Sequence, residues 1–301
     1  MYDQVASNKR RSLALIAIFV VLTTLVVATI LYLLDLGFVG VLIAVVVSVG
    51  SAWASYWKSD AIALKMSRAV EADRHTYARL HNLVEGLCIA SGLPKPRIYI
   101  IDDVAPNAFA TGRNPKHAAI AVTTGLLEKM NRVELEGVLA HELSHIKNDD
   151  ILVSTLAVTM VGLITLAADI SIRMMWWNGG RRGRNDQEGG AAPFLAIFGL
   201  ALLLLSPLLA RLMQFAVSRR RESLADVSAI EMTRYPPGLI SALEKLRDDT
   251  TVVHASSRAT AHLWIEQPTA QIEEEGRLSK WNRLFDTHPP IEERIEALRE
   301  L

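Results

Sequence analysis

Two uncharged stretches stand almost back to back near the start of the chain: Leu13 to Leu34 and Leu36 to Trp57, 22 residues each, with Asp35 alone between them. At about 1.5 Å per residue such a run makes a helix of roughly 33 Å, enough to cross the hydrocarbon core of a bilayer. Asp35 and the nearby Gly37 predict a tight turn, and so a hairpin of two membrane helices. The first run is too long for the apolar core of a secretory signal and leads into a second span, which makes it a retained anchor. Two further apolar runs, Ile151 to Ala168 and Pro193 to Ala210, have 18 residues each, the short end for a span. They read as a second membrane hairpin, with a buried hairpin of a soluble domain as the alternative. Trp176 and Trp177 follow the third run, where an aromatic belt would fall.

Charge sets the orientation. Lys9, Arg10 and Arg11 precede the first span, and Lys58, Lys65 and Arg68 follow the second, so the positive-inside bias predicts a cytoplasmic N-terminus. The segment between the third and fourth runs disagrees, since it carries Arg173, Arg181, Arg182 and Arg184. The first hairpin is given precedence, and the conflict fits a second hairpin that crosses only partly. Over the whole chain 32 basic and 32 acidic residues cancel, so no charge excess points to nucleic acid. Cys88 is the only cysteine, which excludes an intrachain disulfide and suits a reducing compartment.

The chain then divides into a cytoplasmic N-terminus (1–12), a first membrane hairpin (13–57), a soluble part (58–150), a second hairpin (151–211) around an Arg- and Gly-rich loop (178–192), and a second soluble part (212–301). The spans come in pairs, so both soluble parts lie on one side and can form one domain. "PRIYIID" and "HAAIAVT" read as strands, and helices are expected over Gly125 to Met130 and after Asn131.

That last helix ends in "VLAHELSHIKNDD". His141 and His145 are four residues apart, on one helical face, where they can hold one metal ion. Glu142 follows the first histidine and can reach a water on that ion without being a ligand. A catalytic zinc usually takes three protein ligands and a water. The best source of a third is "SRRRESLADVSAI", in which Glu222 and Asp226 share a helix face. Glu222 could ligate while Asp226 accepts a hydrogen bond from the outer nitrogen of a histidine ligand. A solvated acid pair behind a basic cluster is the other reading, and the spacing leaves both open. No Pro or Gly lies between His145 and Ile151 or between Arg211 and Glu222. Unbroken helices are therefore expected to carry the ligands out of the bilayer, with the metal roughly 10 to 15 Å above its surface.

"HELSH", then "RESLAD" beyond an apolar hairpin, resembles the HtpX-type membrane metalloproteases, relatives of the CAAX prenyl proteases among the zincins with a glutamate ligand. "NAFATG" (107–112), "VTTGLLE" (122–128) and "DTHPPIEERI" (286–295) extend the resemblance over nearly the whole chain. It implies an α+β, mostly helical fold, with a zincin-like metalloprotease domain and four transmembrane helices in two hairpins. It implies one zinc ion per chain held by His141, His145 and Glu222, with Glu142 as general base and Asp226 as the outer carboxylate. His288 and Arg294 match an HPPxxxR element near the substrate carbonyl and are candidate catalytic residues; for the prolines a helix start is the simpler role. Asn107, Ala108, Phe109 and Ala110 resemble the segment next to the family's active-site edge strand, which pairs with substrate backbone, and are candidate substrate-binding residues. The implied partners are the lipid bilayer and polypeptides, chiefly damaged membrane proteins cut in cytoplasmic regions at a bacterial inner membrane. A processing protease of the prenyl-protein type is the first alternative, and it needs a larger enclosed chamber than four spans suggest. A non-cutting zinc-bound membrane scaffold is the second, against which the intact Glu142 speaks. His262 is a weaker site candidate, and His75, His81, His117 and His254 show no partner pattern. Oligomeric state, inducing signal and cleavage preference leave no mark in the sequence.

Overall fold

A computed structural model of the chain describes residues 2–33, 36–160, 219–251, 263–265 and 289–301. Helix α1 (Tyr2–Leu33) carries the N-terminal segment into the first apolar run without a break, and α2 (Gly37–Met66) carries the second run onward past Trp57. Both are long and apolar enough to cross a membrane. They pack side by side. The buried stripe of α2 is made of small residues, Gly40, Ala44, Ser48, Ala52, Ser55, Ser59 and Ala63, which lets the two backbones approach closely. On the outer side Phe38, Leu42, Val46, Val49 and Trp53 are exposed. In water such a surface would be an aggregation liability; in lipid it is the favoured one.

The soluble domain is built on a four-stranded sheet in the order β1-β2-β4-β3. The strands are β1 (Val70–Glu71), β2 (Arg97–Ile101), β3 (Ala108–Gly112) and β4 (Ala118–Thr123). β2 and β4 run parallel, and β1 and β3 pair antiparallel at the edges. β2 and β4 are the two strands expected from "PRIYIID" and "HAAIAVT". β4 is buried along its whole length, as a strand covered on both faces should be. Side chains alternate between the faces. Ile98, Ile100, Ala110, Ile120 and Val122 face a core shared with α3 (Ala78–Ser91) and with α5 (Arg132–Lys147), while Ile101, Phe109, Ala119 and Ala121 face a second core. That second core contains Leu15 of α1, Ala63 and Leu64 of α2, and Val153, Ala157 and Val158 of the helix that follows α5. The sheet therefore rests directly on the ends of the membrane helices.

Short α4 (Thr124–Lys129) leads into α5, which starts on a full capping box: Asn131 accepts from the Val133 and Glu134 N–H groups, and the Glu134 carboxylate accepts from the Asn131 N–H. The same carboxylate accepts from Ser241 and Lys245 of α8 (Pro236–Asp248). α8 crosses α5 so closely that a Cβ at Gly137 would stand 2.8 Å from the Leu239 nitrogen, so only glycine fits there. α7 (Arg219–Thr233) packs along α5, and α9 (Ile291–Arg299) closes over α8 and α7.

The connection out of α5 departs from the sequence expectation. The helix stops at Lys147, Asp149 takes a left-handed backbone with φ of 54°, and α6 (Asp150–Met160) begins as a new helix. The run from His145 into the third apolar stretch is therefore broken. Asn and Asp tolerate the left-handed region better than other residues with a Cβ, and "NDD" stands at the break. The remainder of the third run, the Arg- and Gly-rich loop, the fourth run and the link from Arg211 toward α7 lie outside the described residues.

Candidate metal centre

α5 is buried on almost every side, which is why a helix so rich in polar side chains can hold them in fixed positions. His141 and His145 present perpendicular rings with centroids 4.8 Å apart and Nε2 atoms 3.2 Å apart. Glu222 comes from α7 opposite them, with Oε2 3.6 Å from His141 Nε2 and Oε1 3.8 Å from His145 Nε2. One donor atom from each residue falls within 4.8 Å of the others. Ligands on a tetrahedral ion with bonds of about 2.0–2.1 Å stand roughly 3.3–3.4 Å apart. Two imidazoles and a carboxylate at this spacing fit such an ion.

Behind the first histidine lies a chain of buried polar groups. His141 Nδ1 is 2.8 Å from Asp226 Oδ1. Asp226 is gripped in turn by the Arg294 fork, Nη2 to Oδ1 at 2.7 Å and Nε to Oδ2 at 2.9 Å, and Arg294 Nη1 donates to the Ile265 carbonyl at 3.3 Å. Burial alone would raise the Asp226 pKa, but Arg294 and the bond to His141 outweigh it and hold it at about 2. Burial and the nearby Arg294 push His141 down, yet Asp226 and Glu222 win and raise it to about 9. Behind the second histidine stands Asp150, its Oδ2 3.4 Å from His145 Nδ1. Sequence reasoning gave Asp150 no role. A reading that expects the helix to run on unbroken gives no signal for it, because the contact depends on the turn at Asp149.

Glu142 is 2% exposed. Its pKa is raised, chiefly by burial, with the two histidines pulling the other way and the Ala110 N–H bonding its carboxylate. β3 thus sits at the site with its outer edge. On that edge Ala108 O accepts from Ile265 N at 3.0 Å, and Gly112 N donates to Thr155 Oγ1 of α6 at 3.3 Å. Trp264 is fully buried with its ring 4.9 Å from that of Phe109. Asn107 is turned toward β4, its backbone bonded to Thr123 and its side-chain oxygen accepting from the Ala108 N–H. The structure thus gathers His141, Glu142, His145, Glu222, Asp226 and Arg294, with β3 alongside. Arg294 stands at the outer side of the His141 ring, not the metal-facing side: its Nη2 bonds the same Asp226 oxygen and lies 3.4 Å from His141 Nδ1. His288 and His262 lie outside the described residues. His81 and His117 bond Ala72 and Asn114 respectively.

Comparison with known proteins places these features in context. The sequence profile of Peptidase family M48 matches residues 74–301. A "Protease HtpX homolog" of Thermoanaerobacter pseudethanolicus is 42% identical over 301 residues, covering 100% of this chain and 98% of its own length. One of Streptococcus uberis is 42% identical over 303 residues and covers 100% of both. The crystal structure of S. mikatae Ste24p superposes with a TM-score of 0.51 at 20% identity, covering 99% of this chain and 67% of that one.

Proposed function

This chain belongs to peptidase family M48 and is a membrane metalloprotease, and on that premise we propose that its metal is zinc and that it cuts damaged or misassembled membrane proteins at the cytoplasmic face of a bacterial inner membrane. The observation that carries the reading is a single juxtaposition. His141, His145 and Glu222 converge beside a buried Glu142 that is not one of them, on a sheet packed against membrane helices.

His141, His145 and Glu222 would hold the ion. When bound, zinc polarises a water and the scissile carbonyl. Glu142 takes a proton from that water and passes it to the leaving nitrogen. Burial raises its basicity, which suits a general base. The Ala110 N–H fixes where its carboxylate points. Asp226 keeps the His141 ring in the tautomer and orientation that a ligand needs. Arg294, whose fork is fully engaged by Asp226 and the Ile265 carbonyl, acts here as a positioning residue. The resemblance of "HPPIEER" to the family's HPPxxxR element assigns the donor at the developing carbonyl charge to His288. For β3 to pair with substrate backbone, the Ile265 N–H on Ala108 O has to give way to the substrate chain; main-chain pairing reads no side chains, which suits a broad range of damaged substrates.

The test uses purified full-length protein, with and without zinc, and an unfolded membrane protein as substrate. Glu142→Gln keeps the shape and loses the base, so zinc content should stay near one per chain while cutting disappears. Wild-type rates from that variant would remove Glu142 from the mechanism. The likeness to Ste24p speaks for fold, so a narrow prenyl-protein substrate gains nothing from it.

A further inference from the structure

We propose that Asp150 is a positioning residue for His145, the second histidine of the metal centre, and that Asn8, from the segment before the first membrane span, holds Asp150 in place. The inference rests on the metal reading above.

The helix break makes the contact possible. Asp149 in the left-handed conformation turns the chain so that Asp150, the first residue of α6, comes back under the last turn of α5. Its carboxylate is 3% exposed and touches three separate segments. Oδ2 lies 3.4 Å from His145 Nδ1. Oδ1 accepts from Asn8 Nδ2 at 2.5 Å. The same Oδ1 is 3.9 Å from Nη1 of Arg221, the residue next to Glu222. Asn8 is 4% exposed, and its amide also donates to the Asn148 carbonyl at 3.0 Å, so one side chain spans the helix break. A buried carboxylate is costly unless paired and hydrogen-bonded. Here Arg221 supplies the opposite charge and Asn8 the bond, which leaves Oδ2 directed at the histidine.

The two histidines then have matching support: Asp226 behind His141 at 2.8 Å, and Asp150 behind His145 at 3.4 Å. Groups that fix the outer nitrogen of a metal-bound histidine typically change metal affinity by about 10 to 100-fold. The longer contact places Asp150 at the lower end of that range, below Asp226. A purely structural role is the competing account, since a carboxylate at the start of a helix favours it through the helix dipole. The two accounts differ in what they do to the metal.

The experiment measures zinc affinity of the full-length, metal-stripped protein by competition with a chelating dye, alongside thermal unfolding of the metal-free form and the visible spectrum of the cobalt(II)-loaded form. Asp150→Ser suits the first turn of α6 but is too short to reach His145. It should bind zinc about 10-fold more weakly and change the cobalt spectrum; the metal-free form loses stability too, because Arg221 and Asn8 lose a buried partner, so the zinc affinity and the spectrum decide between the two accounts. Asn8→Ala should weaken zinc less, and adding it to Asp150→Ser should weaken zinc no further, because both act through one contact. Wild-type zinc affinity in Asp150→Ser overturns the positioning role, whatever the thermal shift. Additive effects in the double variant overturn the link to Asn8. If the wild-type chain takes up no zinc, the metal reading falls and this inference with it; if only the variants behave like wild type, this inference falls alone.

Discussion

At the scale of residues, the centre is a balance between burial and charge. His141 sits where burial and Arg294 both oppose a positive ring, yet Asp226 and Glu222 keep it protonated up to about pH 9 in the absence of metal. Its ordinary value is 6.5, so the folded state binds the proton more tightly than the unfolded state. The stability this contributes is complete below pH 6.5 and is lost as the pH rises through about 9. Metal-free protein should therefore lose thermal stability across that window. Zinc-loaded protein should not, because the ion takes the ring's lone pair and the proton has already left. Thermal scans of both forms at a series of pH values check this; parallel curves would mean that His141 carries no such proton. Arg294 shows how little of this balance is written locally. In the sequence it is the last letter of a short motif, and its partner Asp226 lies 68 residues earlier. A fork that grips a buried carboxylate is visible only once the helices are packed.

At the scale of elements, the apolar runs and the two Ile- and Val-bearing strands are legible, because length and composition alone decide them. α1, α2, β2 and β4 stand where those signals put them. β1 has two residues, too few for a pattern. β3, "AFATG", carries mostly small residues, and only the family resemblance marks it as a strand. The break between α5 and α6 escapes a reading that counts only Pro and Gly as breakers. Asp149 occupies the left-handed region without being glycine, and this gives a test. Asp149→Gly and Asp149→Ala remove the same side chain, but only alanine keeps the steric penalty of positive φ. The glycine variant should be the more stable by about 1 kcal/mol in chemical or thermal unfolding. Equal stabilities would mean that the helix runs on through Asp149.

At the scale of the whole molecule, the sheet packs on the apolar helices themselves. Leu15 is only the third residue of the first apolar run, yet it shares a core with Phe109, Ala119 and Ala121. The turn after β3 is level with the end of the second run, where Arg113 stacks over Trp57 at 4.7 Å. The metal expected roughly 10 to 15 Å above the bilayer thus belongs to a domain whose sheet packs on the membrane helices themselves. A cleavable segment placed close to a substrate's own transmembrane helix should therefore be cut best. A series of model substrates, each with one such segment moved stepwise from the span, should show cutting fall as the distance grows. Cutting that ignores the distance, or labelling that puts residues 141 and 222 on opposite sides of the membrane, would sink this geometry.

The centre gathers residues from far apart in the sequence: Asn8 near the start, His141 and His145 midway, Glu222 beyond the fourth apolar run, and Arg294, 72 residues after Glu222. Synthesis delivers them in that order. A chain still on the ribosome has the two histidines and Glu142 long before it has Glu222, and it acquires Arg294 later still. With the roles proposed here, a copy that stops before Glu222 lacks a metal ligand, and one that stops before Arg294 lacks the grip on Asp226.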